Sequence, residues 1–539
     1  MAGPTIRPGI EVDVVKDRFQ APIRDGGAFR YPLARLSLRL ADFGKSLALR
    51  NYRLFLASAG APFGYLEGLS AHAALRAAQQ AHRRVPAYRD LVERSGWRDD
   101  PRLPPHERVR LLPPTDKESY VKAFSTEARC LDGRIPMART EIDESSGSSG
   151  VPFNWVRGGR ELQALHREMS QFARYLCGTE VITINGFSMG AWATGVNVGE
   201  ALRANGMVKS TGPDVDKILH TLRFFGPGYT YIVTGYPPFL KHLLDEGTRR
   251  GFDWTAYRLF GIVGGEGMNE RLREHLEEHF KAVYSAYGAS DLDMGVAGEL
   301  PLGVWIRKQA AADRGLQTAL FGDDPRLPML FQYNPLDYYI EADQNRELIV
   351  TINRLTVLSP RIRYNIHDLG GTVSFEEMLN RLGAHGLDPL AACRQPGRPV
   401  FRLPFLYLFG RSDQTISYMG ANIYPEDVEQ ALLAVPEDAD RLGDYCLELV
   451  DTGSREQRPC VHVEVTGGAV EDPMLADRLR ERVLSRLLAN SLDFRSAVSE
   501  DESAGELLVR LHSPRKGPFA ANAQRIKRRY LVPPPSPAS

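Results

Sequence analysis

Between residues 130 and 300 the chain alternates between two hydrophobic periods, and this alternation restricts the fold more than any other feature. Arg160 to Cys177 carries Leu162, Leu165, Met169, Phe172 and Leu176 at helical spacing. Val181-Ile182-Thr183-Ile184 is a short β-branched run and reads as a strand, as do Tyr231-Ile232-Val233-Thr234 and Phe260-Gly261-Ile262-Val263-Gly264. Asn269 to Phe280 reads as a helix with Leu272, Leu276 and Phe280 on one stripe, and Val283 to Ala286 resumes strand. Strands that alternate with helices imply an α/β sheet covered by helices.

The chain has 539 residues, too many for one ordinary core, so two or more domains are expected. Residues 1 to about 45 read as a variable arm. Leu47 to His82 is rich in Ala and Leu and reads as helix. Leu111 to Lys117 reads as a turn, with Thr115 as N-cap of the segment after it. Leu348 to Ile352 and Arg361 to Tyr364 read as strands. The Pro- and Gly-containing stretch 371–404 reads as an insertion or elaborated loop with one short helical piece. From Gly410 onward a helix (Pro425 to Ala434), two apolar strands (Cys446 to Val450, Val461 to Val465) and a longer helix (Pro473 to Ala489) suffice for a small α+β domain. Pro533 to Pro537 reads as an extended tail.

Several function classes lose support at once. Lys plus Arg equals Asp plus Glu at 67 each, so no global field draws the chain to nucleic acid or to an anionic membrane. The basic cluster Arg515 to Arg529 is short and local. No apolar run approaches the roughly 20 residues that span a bilayer, and Met1 to Phe19 lacks the apolar core of a signal peptide. Cys130, Cys177, Cys393, Cys446 and Cys460 are scattered without metal-ligand spacing, so a reducing cytoplasm is the expected setting. His275 and His279 are four apart but lack a third ligand, and read as helix surface.

Four segments carry chemistry. Ser145-Ser146-Gly147-Ser148-Ser149-Gly150 has the small residues that let backbone N–H groups surround a phosphate, with hydroxyls as added donors. A flexible linker has the same composition, although the strand-like sequence after it is not what a linker needs. Tyr287-Gly288-Ala289-Ser290-Asp291 follows a strand and offers a stacking face, a tight turn and a hard oxygen ligand. Tyr364-Asn365-Ile366-His367-Asp368 and Gly410-Arg411-Ser412-Asp413 each place a charged group just past a strand. Singly, each of these also suits an ordinary solvated turn.

Their order is more specific. The chain resembles the adenylate-forming superfamily, most closely its phenylacetate–CoA ligase branch, across about residues 110 to 530. The family's [ST]SG[ST][ST]GxP loop matches Ser145 to Pro152, its GxE step Gly264-Gly265-Glu266, and its YG-x-[ST]-E segment Tyr287 to Asp291. IRY-x-x-x-D matches Ile362 to Asp368, GRxD matches Gly410 to Asp413, and G-x-N-[IV]-x-P-x-x-[IV]-E matches Gly420 to Glu429.

The resemblance implies an ATP- and acyl-binding domain at 1–410 and a mobile lid at 411–539. It implies that the Ser145–Gly150 loop (Ser145, Ser146, Gly147, Ser148, Ser149, Gly150) holds ATP phosphates. It places Tyr287 on adenine, lines that pocket with Gly264, Gly265, Glu266, Gly288 and Ser290, and gives the ribose to Asp368 and Arg411. Asp291 would ligate Mg²⁺, Asp413 would be the hinge, and Gly420 would sit where a thiol arm passes. A family lysine that contacts acyl carboxylate and α-phosphate has two candidates, Lys527 first and Lys516 second. Phe187, Met189 and Trp192, with Tyr236, occupy the position of the acyl wall, and core packing explains them equally well.

The implied reaction is ATP-dependent activation of an aromatic or hydrophobic carboxylic acid, followed by transfer to CoA. A carrier-protein thiol, an amine or another nucleophile remains open as acceptor, and so does a non-catalytic nucleotide-binding role. The chain departs from the family at Val151, where a lysine is usual, and at Asp291, where glutamate is usual. The stretch 371–404 is long for its place, and the terminal lysine motif is not clean.

Overall fold

The computed structural model describes residues 31–145, 153–190, 193–324, 326–395, 397–411, 415–435, 438, 441–452, 457–465, 470 and 472–519. Two strands, β1 (Thr140–Ser145) and β2 (Phe153–Gly158), pair antiparallel with Ser145 opposite Phe153. Residues 146–152, which carry most of the Ser/Gly loop, lie outside the described residues.

The main sheet has eleven strands. Its first five in chain order are β3 (Val181–Asn185), β4 (Gly206–Ser210), β5 (Thr230–Gly235), β6 (Arg258–Gly264) and β7 (Phe280–Tyr287). The others are β8 (Ala297–Gly298), β9 (Met329–Gln332), β10 (Tyr338–Ala342), β11 (Glu347–Ile352), β12 (Tyr364–Val373) and β13 (Phe405–Arg411). Across the sheet they run β10-β11-β12-β13-β9-β8-β7-β6-β5-β3-β4. From β4 to β7 every pairing is parallel, and from β7 to β10 every pairing is antiparallel. The central strands of the parallel half are apolar, as expected where helices cover both faces of a sheet; all five residues of β3 are buried.

The two halves meet at β8, which is only two residues long and reaches β9 through the single pairing Gly298 to Gln332. A side chain completes the ladder there. Glu299 Oε2 accepts the Ser285 N–H of β7 at 2.8 Å. Its other oxygen accepts from Arg273 at 2.6 Å, and Arg307 ion-pairs with Glu270 at 2.6 Å beside it. These four charges are buried, which is tolerable because each is paired.

A smaller α+β unit comes next in the chain. The hairpin β14 (Ile416–Tyr418) and β15 (Ala421–Ile423) leads into helix Pro425–Leu432. Then β16 (Leu442–Asp451), β17 (Gln457–Val465) and β18 (Leu508–His512) form a sheet, antiparallel then parallel, packed by helices Pro473–Asn490 and Leu492–Glu500.

The α/β expectation holds, and several local expectations need correction. Phe280 opens β7 and does not end a helix, which stops at Glu277. Residues 31–48 are helical although they fall within the expected arm, and the Ala/Leu-rich stretch is broken into helices Tyr52–Ser58 and Phe63–Arg84. Asp116, and not Thr115, caps the turn Lys117–Val121 by accepting the Ser119 N–H at 2.6 Å. Thr115 instead bridges to the sheet: its hydroxyl donates to Ile362 O and its N–H to Arg363 O, both at 2.9 Å. The stretch 371–404 begins as the end of β12 and continues as helix Phe375–Ala384, whose Phe375, Met378 and Leu382 are buried against the antiparallel half. The tail Pro533–Pro537 lies outside the described residues.

Candidate active site

Ligands of open α/β sheets bind beyond the carboxyl ends of parallel strands, where the strand order changes direction. Here β6 and β7 end at Gly264 and Tyr287, beside the seam, and a cavity of roughly 390 Å³ opens there. Gly264, Gly265, Gly288, Ser290, Asp291, Arg411 and Gly420 all line it, although they come from separate stretches of sequence.

The segment after β7 is held rigidly. Arg157 of β2 donates to Ser290 O at 2.5 Å and to Leu292 O at 3.2 Å, while its Nε bonds Asp143 at 2.6 Å. Arg361 donates to Asp291 O at 2.6 Å. Gly288 is needed because a Cβ there would fall 2.4 Å from Met294 O. The Asp291 carboxylate accepts the Tyr364 hydroxyl at 2.9 Å through Oδ2. Among the described residues no three His, Cys, Asp or Glu side chains cluster as a ready metal site. A magnesium ion held largely by substrate phosphates needs only one or two carboxylates, and Asp291 on the cavity wall fits that requirement.

Tyr287 and Asp368 face each other. The tyrosine hydroxyl donates to Asp368 Oδ2 at 2.6 Å, its ring stacks on Phe331 at 5.8 Å, and burial with the adjoining carboxylate pushes the phenol well above its ordinary pKa. Neither side chain is part of the cavity wall. Asp368 pairs across β12 and β13 with Arg411, which is.

Glu266 also lies behind the wall. Its Oε1 accepts the Gly420 N–H at 2.9 Å, and burial pushes the carboxyl up to about 8. Gly420, at φ +82°, takes a backbone conformation that suits glycine, and a Cβ there would lie 2.3 Å from the Tyr236 ring. Phe187 meets Tyr236 edge to face at 5.4 Å, and both line the cavity. Met189 does not line it, and Trp192 lies outside the described residues.

The last wall belongs to the α+β unit: Met419, Asn422, Asp493, Ser496 and Ala497. Asp493 accepts the Asn422 N–H at 2.9 Å, and Ser188 donates to Glu500. Lys516 sits exposed on the turn before Gly517 and is not on the cavity. Ser145 ends β1; Ser146 to Gly150, Asp413 and Lys527 lie outside the described residues.

Lys117 lines the cavity although no sequence motif singles it out. The Thr115 bridge and the Asp116 cap place it there, with Nζ 5.8 Å from the Phe153 ring centroid. Burial lowers its pKa, and the Asp291 carboxylate opposes that shift. Its local sequence, Pro113-Pro114-Thr115-Asp116-Lys117, signals only a turn.

No protein-family model matches the chain. It is similar to the phenylacetate–coenzyme A ligase of Thermus thermophilus, 22% identical over 365 residues that cover 66% of this chain and 72% of that one. Its fold is that of 2-hydroxyisobutyryl-CoA ligase, solved with 2-HIB-AMP and CoA in the thioesterification state: TM-score 0.58, 16% identity, covering 88% of this chain and 90% of that one. These likenesses show that the chain has the fold of that acyl-CoA ligase and a distant sequence likeness to a second acid–CoA ligase. No helix among the described residues is long and apolar enough to cross a membrane.

Proposed function

We propose that this protein activates a carboxylic acid with ATP and passes the acyl group to a thiol, with CoA as the acceptor. The observation that carries this is the convergence of the Gly264-Gly265, Gly288–Asp291, Arg411 and Gly420 stretches on one cavity beyond β6 and β7.

The acid carboxylate oxygen attacks the α-phosphorus of ATP, the bond from α-phosphorus to the bridging oxygen breaks, and pyrophosphate leaves. The thiol sulfur then attacks the acyl carbon, AMP departs, and the thiol proton goes to solvent. Charge builds on phosphate oxygens in the first step, so fixed donors aimed at them do most of the work. Lys117 and Arg411 supply cations on the wall, and Asp291 would hold magnesium, which neutralises phosphate charge when bound. Donors of the Ser145–Gly150 loop take the phosphates without the lysine that Val151 replaces. Lys117 fills that electrostatic role from another element.

Phe187 and Tyr236 bound an apolar or aromatic acid. Residues 1–410 carry the nucleotide and acid, and residues 411–539 turn about Asp413 so that Lys527, or Lys516, enters for the first step and Gly420 for the second. The exposed Lys516 and the cavity-lining Gly420 suit the second of these arrangements. Tyr287 and Asp368 would have to exchange their mutual hydrogen bond for adenine and ribose contacts.

Pyrophosphate release from a panel of acids, with and without CoA, tests the reading. Acid-dependent release, with acyl-CoA appearing only when CoA is present, is expected. Acid-dependent release with no acyl-CoA would redirect the acceptor, and no release over a broad panel would refute the activity.

A further inference from the structure

Helix Gly159–Cys177 gives the cavity an apolar stretch of wall. One helix face lines it through Leu165, Met169, Phe172 and Leu176, and Val198 and Leu300 line it as well. From Leu165 to Leu176 that face is about 16 Å long at the α-helical rise. A chain or ring acid fits such a surface, and nothing apolar in it calls for a charge.

Glu168 interrupts it. It lies on the same face, one residue before Met169 and three after Leu165, and it lines the same cavity. The two cations that act on it each ion-pair with another carboxylate, Lys45 with Asp337 and Arg354 with Asp293. Three carboxylates, Asp293, Asp337 and Glu168, therefore stand against two cations. Asn334 stands beside Glu168 on the same cavity wall. Burial and the Asp337 charge push that carboxyl up to about 7. A half-buried carboxyl that shares its cations with other carboxylates gains from a donor brought to it.

We infer that Glu168, seconded by Asn334, recognises a hydrogen-bond donor on the acid, so that favoured substrates carry a hydroxyl or amine on an otherwise apolar body. This rests on the acid-activating reading above and narrows its substrate class. The chemistry at the carboxylate is unchanged; the added group bonds Glu168 when the acid is seated along the helix.

The test uses the full chain and matched acid pairs, an aryl or alkyl acid beside its hydroxyl- or amino-bearing counterpart at several positions. The readout is kcat/KM for pyrophosphate release. For at least one position the wild-type protein favours the donor-bearing acid by about 10- to 100-fold. Glu168→Leu inverts that ratio, raising kcat/KM on the plain acid while lowering it on the other. Glu168→Gln, which keeps size and shape, retains part of the preference and guards against a folding defect in the leucine variant. Equal or better use of plain acids at every position, or a ratio that Glu168→Leu leaves in place, overturns the assignment and leaves acid activation standing. No pyrophosphate release with any acid overturns both.

Discussion

At the scale of single residues, the site divides into groups that touch the cavity and groups that hold those in place. Lys117 touches it, with Asp291 and Arg411 on the same wall. Replacing it by alanine should lower kcat/KM for pyrophosphate release by about 100-fold, the order expected when one fixed cation or donor is removed from a developing charge. Lys117→Arg should recover a part of that. Steady-state kinetics with circular dichroism of each variant checks this, and an alanine variant with unchanged rate would remove Lys117 from the phosphate site. Tyr287 and Asp368 hold each other, so Tyr287→Phe should cost about 1–3 kcal/mol in denaturant unfolding by leaving a buried carboxylate short of a donor. The glycines and carboxylates of the motifs are legible as a set because each lies in a short pattern whose order matches a family. Lys117 is not, because the Thr115 bridge to Tyr364 that places it joins residues far apart in sequence.

At the scale of elements, β3, β5, β6, β7 and helix Gly159–Cys177 are legible because each buries one stripe or a largely apolar run, whereas the edge strand β4, mostly exposed, is not. The seam is not. β8 is two residues of Ala and Gly, and its ladder is finished by the Glu299 side chain, which no periodicity reveals. Helix Phe375–Ala384 shows in the sequence only as one short helical piece, because Gly and Pro around it read as loop and its buried face meets residues from distant strands. The β14–β15 turn carries a sharper consequence. A methyl group on Gly420 meets both an unfavourable φ and the Tyr236 ring. Gly420→Ala should therefore lower thermal stability and thiol transfer together. Pairing it with Tyr236→Ala should recover part of the stability by opening space, while leaving the backbone cost in place. Thermal unfolding of the single and double variants separates the two causes; equal melting points would show that the ring yields freely.

For the whole molecule, several carboxyls are pushed up by burial. Glu67 and Glu168 reach about 7 and Glu266 about 8, from an ordinary value of 4.5. Between those limits the folded chain keeps protons that the unfolded chain has released. Their contribution to stability is thus complete below about 4.5 and is lost as pH rises through 7 to 8. The lowered carboxyls, Asp100 and Glu246, titrate near 2, so they add no slope in that window. Thermal unfolding should therefore occur at lower temperature at pH 8.5 than at pH 6, and Glu266→Gln should flatten the difference. A melting point that rises over this range would contradict the burial argument.

The shared wall of the cavity reaches further than the chemistry. Part of it belongs to the main sheet and part to helix Leu492–Glu500 and the Met419–Asn422 turn. On the proposed reading, in which the α+β unit turns about Asp413, a compound selected to fill this shape binds only molecules with that unit docked, and its apparent dissociation constant becomes the intrinsic one divided by the docked fraction. A substitution at Glu500, whose side chain joins that unit to Ser188, would then read in a binding assay as a weak ligand although the contacts themselves were intact.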